Sequence, residues 1–317
     1  MRYSILIVGA GQLGSRYLQG LSKVSMPLDI IVSDVSPDSL ARAEVRWQEA
    51  DGHKTPHQVR YVVGLSEVPD EIDVAIIATS SDVRAAVVLK LSEISVVKYW
   101  VLEKVLAQSE NELIAIQAAI CNDSSVWVNT PMYMWTLYSN IRNNYVDKYI
   151  IEASFEGYAG LACNAIHYID FVSRWNKSIP ISINTKGLQN HWYPAKRNNF
   201  FEVYGELLID FNDGSKLKLS SNPDDINYIV NLKINHDEWR VFESEGIAYS
   251  ADGKIIDGKC DYQSQLSAPL VESIIQSGYC DLPTISESIF QHKILLVSLL
   301  EHWNQCMPNK LDRLPIT

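Results

Sequence analysis

Gly9-Ala10-Gly11-Gln12-Leu13-Gly14 sets three glycines at the spacing G-x-G-x-x-G, directly after the apolar run from Tyr3 to Val8. Each glycine has a physical use there. Gly9 permits a tight turn, Gly11 lets the backbone come close to a pyrophosphate, and Gly14 lets the following helix pack against the strand. The helix that opens at Gln12 and Leu13 offers free N–H groups and a partial positive charge to the phosphates. Asp34 follows Gly14 by 20 positions, where a carboxylate accepts from the adenosine ribose hydroxyls and repels a 2′-phosphate. These residues point to NAD(H), with NADP(H) disfavoured. FAD shares the fingerprint, and a strand-turn-helix that uses its glycines for packing alone is the bland alternative.

Two further residues have the chemistry to move protons. Lys104 ends a strand-like run at the carboxyl edge of a parallel sheet, where α/β proteins bind ligands; a solvated strand-end lysine is the alternative. Farther on, Cys163, His167, Asp170 and Arg174 fall at offsets of four, three and four, which is one face if the stretch is helical. His167 would act there as a general base in the oxidation of an alcohol, its protonated form needing a stabilising neighbour. Asp170 is either that neighbour or the i,i+4 partner of Arg174, and His167 is otherwise a hydrogen-bonded structural histidine. Cys163 beside a histidine suggests a thiolate nucleophile; a small buried hydrophobe is the commoner use of cysteine.

The elements that must position these groups alternate short apolar runs with longer amphipathic ones over the first 126 residues, the pattern of βαβ units around a doubly wound parallel sheet. Strands are expected at 3–8, 29–33, 59–63, 74–78, 97–102 and 126–129. Leu13, Tyr17, Leu18 and Leu21 form one stripe at a period of 3.6 residues, and Val83, Val87, Leu91 and Ile94 another. Ser36 before Pro37 reads as an N-cap with proline at the first helical position, and Ser109 with Glu112 has capping-box spacing. Beyond Asn129 the pattern turns to β alternation at 149–155, 203–211 and 229–234, with turn signals at 212–214, 252–253 and 257–258. Helices are expected near 268–277 and 286–306. The division is residues 1–126 as a dinucleotide-binding Rossmann domain and 127–317 as an α+β domain with a mainly antiparallel open sheet.

Composition narrows the function classes. The chain has 317 residues, 47% hydrophobic and 21% charged, with a net charge of -11. That charge disfavours a nucleic-acid footprint, which needs clustered Lys and Arg. Five cysteines (Cys121, Cys163, Cys260, Cys280 and Cys306) with no C-x-x-C pair indicate neither a disulfide framework nor a metal site. The apolar strand at the start leaves no room for a cleavable leader, and no apolar run reaches the roughly 20 residues of a membrane span, so a cytoplasmic protein away from membranes is expected.

With Val101-Leu102-Glu103-Lys104 at the fifth strand's end and a histidine-bearing helix in the next domain, the chain resembles the Gfo/Idh/MocA oxidoreductase family over essentially its whole length. The resemblance implies an NAD(P)-dependent dehydrogenase or reductase of sugars, cyclitols or sugar nucleotides, a homo-oligomer through its C-terminal sheet. It puts the loop 78–82 under the nicotinamide ribose, so Thr79 and Ser80 would hold cofactor; N-capping of the next helix by Ser80 or Ser81 is compatible with that. Glu103-Lys104 matches the family's Glu-Lys-Pro signature, with Glu103 on the cofactor side and Lys104 on the substrate oxygen, and Val105 stands where proline is usual. His167 falls on the catalytic histidine of an Asp-x-Gly-x-His segment, with Cys163 in place of the aspartate and Ala165 in place of the glycine. Cys163 and Asn164 would then face substrate.

At the substrate end, the loop 191–200 joins aromatic rings to Lys196 and Arg197, either of which suits a carboxylate or phosphate; a solvated loop is the alternative. Tyr133 follows the domain junction, where clefts form. The reading is an NAD(H)-dependent oxidoreductase moving a hydride between nicotinamide and a hydroxyl or ketone of a carbohydrate-like molecule, which includes nucleotide-linked and acidic sugars. NAD-assisted glycoside or eliminative chemistry and an NAD-binding regulatory protein with altered catalysis are the alternatives.

Overall fold

The computed structural model describes residues 2–52, 54–120, 123–145 and 149–317; Cys121 lies outside them. Contacts group the chain into two units: residues 1–106, 112–129 and 261–285 in the first, and 107–111, 130–260 and 286–317 in the second.

The first unit alternates β1 (Tyr3–Val8), α1 (Gln12–Leu21), β2 (Leu28–Asp34), α2 (Pro37–Gln48), β3 (Gln58–Val63), β4 (Glu71–Ile77), α3 (Ser81–Ile94), β5 (Val96–Glu103), α4 (Glu110–Ala119) and β6 (Ser125–Asn129). All six strands pair in parallel in the order β3-β2-β1-β4-β5-β6, the doubly wound Rossmann order with its switch point between β1 and β4. Ile5 to Val8 are all buried because helices cover both sheet faces, which is why the run reads as apolar without alternation. Tyr17, Leu18 and Leu21 of α1 have no exposed surface. At the start of α2 the Ser36 hydroxyl accepts from the Ser39 N–H at 3.3 Å, with Pro37 next in the chain.

On α3 the expected stripe divides between core and cleft. Ser81, Arg84, Val88 and Leu91 are its buried residues, while Val83 and Val87 line a cleft. Period alone does not tell an apolar wall of a cleft from an apolar face in the core.

The contact grouping also departs from a contiguous division at 126/127. The segment Asp261–Ile285 belongs to the first unit: its helix Gln263–Ser277 packs along α1, the Glu272 carboxylate accepts from the Ser25 N–H at 2.7 Å, and the Val128 N–H donates to the Pro283 carbonyl at 3.0 Å. Local periodicity carries no record of where a distant helix returns.

The second unit contains a 3-10 turn (Pro131–Met134), α5 (Thr136–Arg142), β7 (Ile151–Gly157), α6 (Leu161–Asn176), β8 (Pro180–Leu188), a small hairpin of β9 (Tyr193–Pro194) and β10 (Phe201–Glu202), then β11 (Gly205–Phe211), β12 (Lys216–Ser221), β13 (Ile229–Ile234), β14 (Asp237–Phe242), β15 (Ile247–Ser250) and β16 (Ile255–Asp257). The helix Gln263–Ser277 is α7, and α8 (Ile285–Cys306) closes the fold. The larger sheet runs β16-β15-β14-β13-β7-β12-β11-β8 and is antiparallel except where β7 meets β12. Its strands alternate buried and exposed residues, as expected when one face packs and the other is open. α6 covers the buried face, with Phe171 edge-on to Trp175 at 4.8 Å and to Tyr138 at 4.6 Å. The open face carries charged pairs such as Lys218 with Glu206 at 2.6 Å.

Among the described residues no helix is long and apolar enough to cross a membrane, and no cluster of His, Cys, Asp and Glu is placed to hold a metal ion.

Candidate functional site

In the first unit the carboxyl ends of β1, β2 and β4 converge on a cleft of about 740 Å³ whose walls include Gly9, Asp34, Thr79, Val83 and Val87. The three glycines differ in what holds them. Gly9 has φ +98°, and a Cβ there would lie 2.9 Å from the Ala78 carbonyl carbon. A Cβ on Gly14 would lie 1.7 Å from the Gly9 oxygen, so Gly14 is fixed by strand-to-helix packing. A Cβ on Gly11 would meet nothing within 4 Å. Packing does not demand glycine at Gly11; the open space above it could take a pyrophosphate, and a side chain would fill it.

Other polar groups lie at or near the same cleft. The Asp34 carboxylate accepts from the Ala10 N–H at 2.6 Å and the Ser36 N–H at 2.8 Å, which orients it at the end of β2 with lone pairs left for ribose hydroxyls. The Thr79 hydroxyl oxygen is buried without a hydrogen-bond partner. Gln12 is exposed, and Arg46 of α2 donates to its carbonyl and its side-chain oxygen, each at 3.3 Å. Arg46 adds a positive charge beside the N-terminus of α1, and nothing in the local sequence around the glycines announces it. Leu13 is half-buried in the first turn. Ser80 occupies the N-cap position of α3 without a side-chain capping bond; its hydroxyl donates to Asp82 instead.

At the end of β5, Glu103 is buried, and its Oε1 accepts from the Tyr17 hydroxyl and the Asn129 amide, both at 2.6 Å. Burial pushes its carboxyl above the usual range. The carboxylate therefore faces an internal network in place of the expected cofactor contact. Lys104 follows, half-buried, and the Lys104–Val105 peptide is cis. Arg84, 1% exposed, donates to the carbonyls of Thr79, Val105 and Leu106, which ties the loop after β4 to the segment that carries Lys104. Sequence reading missed Arg84; its only signal is a cation among the apolar positions of α3.

In the second unit α6 has the helical face expected for Cys163, His167, Asp170 and Arg174, but the four side chains do different things. Asp170 is fully buried and accepts from the Thr130 hydroxyl at 2.8 Å and the Gln291 amide at 3.3 Å. Burial pushes its carboxyl up to about 7, opposed by Arg174 and by these hydrogen bonds. Arg174 stacks on one side of the Tyr133 ring at 4.3 Å, and Arg142 lies against the same ring at 3.9 Å. Tyr133 is thereby committed to two cations. Cys163 is buried, and its N–H donates to Glu202 at 3.3 Å, so a carboxylate already sits at the N-terminus of α6.

His167 opens on a cavity of about 290 Å³ inside the second unit. Its aromatic walls are Trp135, Tyr158, Tyr168 and Tyr228; Asn164 and Glu243 add polar groups. Asn164 donates to the Gly160 carbonyl at 2.7 Å, and Tyr228 donates to the Tyr168 hydroxyl at 2.8 Å. Burial pushes the Glu243 carboxyl up to about 7, held down in part by the bond it accepts from Tyr138. The expected substrate residues thus separate: Asn164 and His167 share this cavity, whereas Tyr133, Cys163, Lys196 and Arg197 are not on its walls. Lys196 and Arg197 are exposed in the β9–β10 hairpin. Trp135, Tyr158, Tyr168, Tyr228 and Glu243 were missed because residues far apart in sequence leave no spacing signal.

No protein-family model matches the chain, and no curated protein matches its sequence. Solved structures match its fold. GenD2 from gentamicin A biosynthesis, solved with NAD, aligns with a TM-score of 0.70 at 12% identity over 93% of this chain and 92% of that one. UDP-N-acetylglucosamine 3-dehydrogenase GnnA from Acidithiobacillus ferrooxidans aligns with a TM-score of 0.70 at 12% identity over 94% and 96%. A Gfo/Idh/MocA family oxidoreductase from Vibrio cholerae aligns with a TM-score of 0.66 at 14% identity over 95% and 98%. At these identities the likeness establishes the fold: the chain is built as Gfo/Idh/MocA-type oxidoreductases are, with a parallel Rossmann sheet followed by a mainly antiparallel one.

Proposed function

We propose that the protein is an NAD(H)-dependent oxidoreductase acting on a hydroxyl or ketone of a carbohydrate-like substrate. The observation that carries this reading is the open cradle above Gly11 beside the oriented Asp34 carboxylate, in a fold shared with dehydrogenases. Gly9, Gly11, Gly14 and the N–H groups opening α1 at Gln12 and Leu13 would hold the pyrophosphate. Asp34 would take the ribose hydroxyls and disfavour a 2′-phosphate, so NAD is preferred to NADP. Thr79 would donate its unpartnered hydroxyl toward the cofactor, with Ser80 beside it in the same loop.

Bound there, nicotinamide supplies the hydride acceptor or donor, and the protein supplies positioning and proton handling. Lys104 would orient the substrate oxygen and assist its proton. His167 would act as general base in oxidation and as general acid in reduction. Asn164 contributes a wall of the His167 cavity. Glu103, buried with Tyr17 and Asn129, is a positioning residue for the strand end that carries Lys104.

The open face of the second sheet carries a groove of about 790 Å³ lined by outward residues such as Glu152, Lys218 and Arg240, and we propose it as the surface on which copies of the chain associate. A soluble, cytoplasmic enzyme is the setting we propose for the chemistry.

The experiment is turnover followed at the NADH absorbance band with a panel of sugars and polyols, for the wild type and Lys104→Met. The reading expects NADH formation with one substrate class, and at least about a hundredfold loss of kcat in K104M, the range general acid–base groups supply, with the NADH dissociation constant unchanged. Unaltered turnover in K104M sinks the role of Lys104, and no nicotinamide turnover with any substrate counts against the enzyme reading.

A further inference from the structure

The cavity at His167 has an unusual charge balance. Its walls contain a carboxyl group, Glu243, and no lysine or arginine. Of the two Glu243 oxygens, Oε1 accepts from Tyr138, and Oε2 has no partner among the described residues. Four aromatic residues line the cavity with this carboxyl: Trp135, Tyr158, Tyr168 and Tyr228. The ring positions are fixed by their own contacts. Trp135 lies parallel to Tyr138 within 15° at 6.2 Å, Tyr168 packs against Phe155 at 4.4 Å, and Tyr228 is hydrogen-bonded to Tyr168. Tyr158, 57% exposed, stands at the rim.

Ring faces carry negative potential and attract a cation that has shed water. The Glu243 carboxyl adds a hydrogen-bond acceptor and, when a cation beside it draws off its proton, a negative charge. An anionic group would find no lysine or arginine here, only the His167 imidazole and the Asn164 amide, and it would approach Glu243. The cavity volume of about 290 Å³ lies at the small end for ligand pockets, roughly 300 to 1,000 Å³, which suits one six-membered ring.

We infer that this cavity is an ammonium site: the substrate ring carries a protonated amine that seats against Glu243 Oε2 within the box of Trp135, Tyr158, Tyr168 and Tyr228. The ligand class is therefore an amino-substituted carbohydrate or cyclitol, in preference to the acidic and nucleotide-linked sugars that Lys196 and Arg197 suggested. That the ammonium-bearing molecule is also the substrate rests on the role proposed for His167; that the cavity binds ammonium does not.

The test uses the full chain and matched probes: cyclohexylamine, cyclohexanol and cyclohexanecarboxylate, together with glucosamine, glucose and glucuronate, each titrated calorimetrically and by quenching of tryptophan emission. The expected order in both series is amine over hydroxyl over carboxylate, the amine leading by at least about tenfold. Glu243→Gln should bring amine and hydroxyl probes to within about threefold of each other while its thermal midpoint stays cooperative. Tyr158→Ala, at an exposed rim position, should weaken the amines alone by about threefold to tenfold, which covers the case in which E243Q does not fold.

Equal binding of amine and hydroxyl probes, preference for the carboxylates, binding of none of the six, or a full amine preference in E243Q would each overturn the ammonium site. Hydride transfer to or from a neutral sugar without amine preference would overturn it and leave the oxidoreductase reading standing. Amine preference without nicotinamide turnover would do the reverse.

Discussion

Arg84 on α3 donates to the main-chain carbonyl of Val105, the residue after Lys104. The same guanidinium reaches the Thr79 carbonyl in the loop after β4. One buried cation thus braces both segments to which we assign cofactor and proton-transfer roles in the first unit, and it offsets the Glu103 charge nearby.

Replacing Arg84 by Met would leave those carbonyls buried without a donor and remove a charge that Glu103 feels. Removing one member of a buried charged network costs about 3–5 kcal/mol. Chemical denaturation should show a loss of that order for R84M, with Arg84→Lys between R84M and wild type. A change below about 1 kcal/mol, the value of an exposed pair, contradicts the bracing role.

The glycine loop separates binding from packing. Gly11→Ala adds a methyl into open space at a backbone conformation alanine accepts (φ -66°), so the thermal midpoint should be unchanged while the NADH dissociation constant rises at least about tenfold, or 1.4 kcal/mol. Gly14→Ala drives a methyl into the Gly9 oxygen and should cost about 1–3 kcal/mol of stability, the usual range for overpacking. Loss of stability in G11A, or NADH binding that it leaves intact, would show that the space above Gly11 is not a phosphate cradle.

Asp34 should set the choice between the two dinucleotides. Asp34→Ala is expected to weaken NADH and to reduce the NADH-over-NADPH preference by about tenfold, because the carboxylate that repels the 2′-phosphate is gone. Parallel titrations of both cofactors check this, and an unchanged ratio contradicts it.

Much of this was legible in the sequence, and what was not has identifiable causes. The six parallel strands could be read because each is a local apolar run, and the glycine loop because its letters lie side by side. The return of α7 to the first unit could not, since its contact with α1 joins residues more than 200 positions apart. The apolar stripe that includes Val83 and Val87 was legible, but not that these two line a cleft. The cavity at His167 draws on Trp135, Tyr228 and Glu243, whose proximity only the folded sheet and helix create. Tyr133, singled out for its place after the junction, lies against both Arg142 and Arg174, and neither arginine is a chain neighbour.

Two buried carboxyls give a pH signature. Asp170 moves from 3.8 to about 7 and Glu243 from 4.5 to about 7. Both folded values are raised above the unfolded ones, so between about pH 4 and pH 7 the folded protein holds protons that the unfolded chain has released. Their contribution to stability is greatest below about pH 4, is lost as pH rises through that interval, and levels off above pH 7. Denaturation of Asp170→Asn across pH 4 to 8 should give a flatter profile than wild type. Gln291, whose side-chain oxygen is buried without a partner, is placed to turn its amide and accept from the new asparagine. Parallel profiles for wild type and D170N would contradict the assignment to Asp170.

The central claim is that the first unit holds a nicotinamide dinucleotide, and calorimetric titration of the full chain with NADH and NADPH, beside G11A as the control, tests it most directly. The wild-type chain should bind NADH at one site, NADPH more weakly, and G11A should bind NADH at least about tenfold more weakly. Failure of the wild-type chain to bind either dinucleotide, or equal binding of NADH by wild type and G11A, contradicts it.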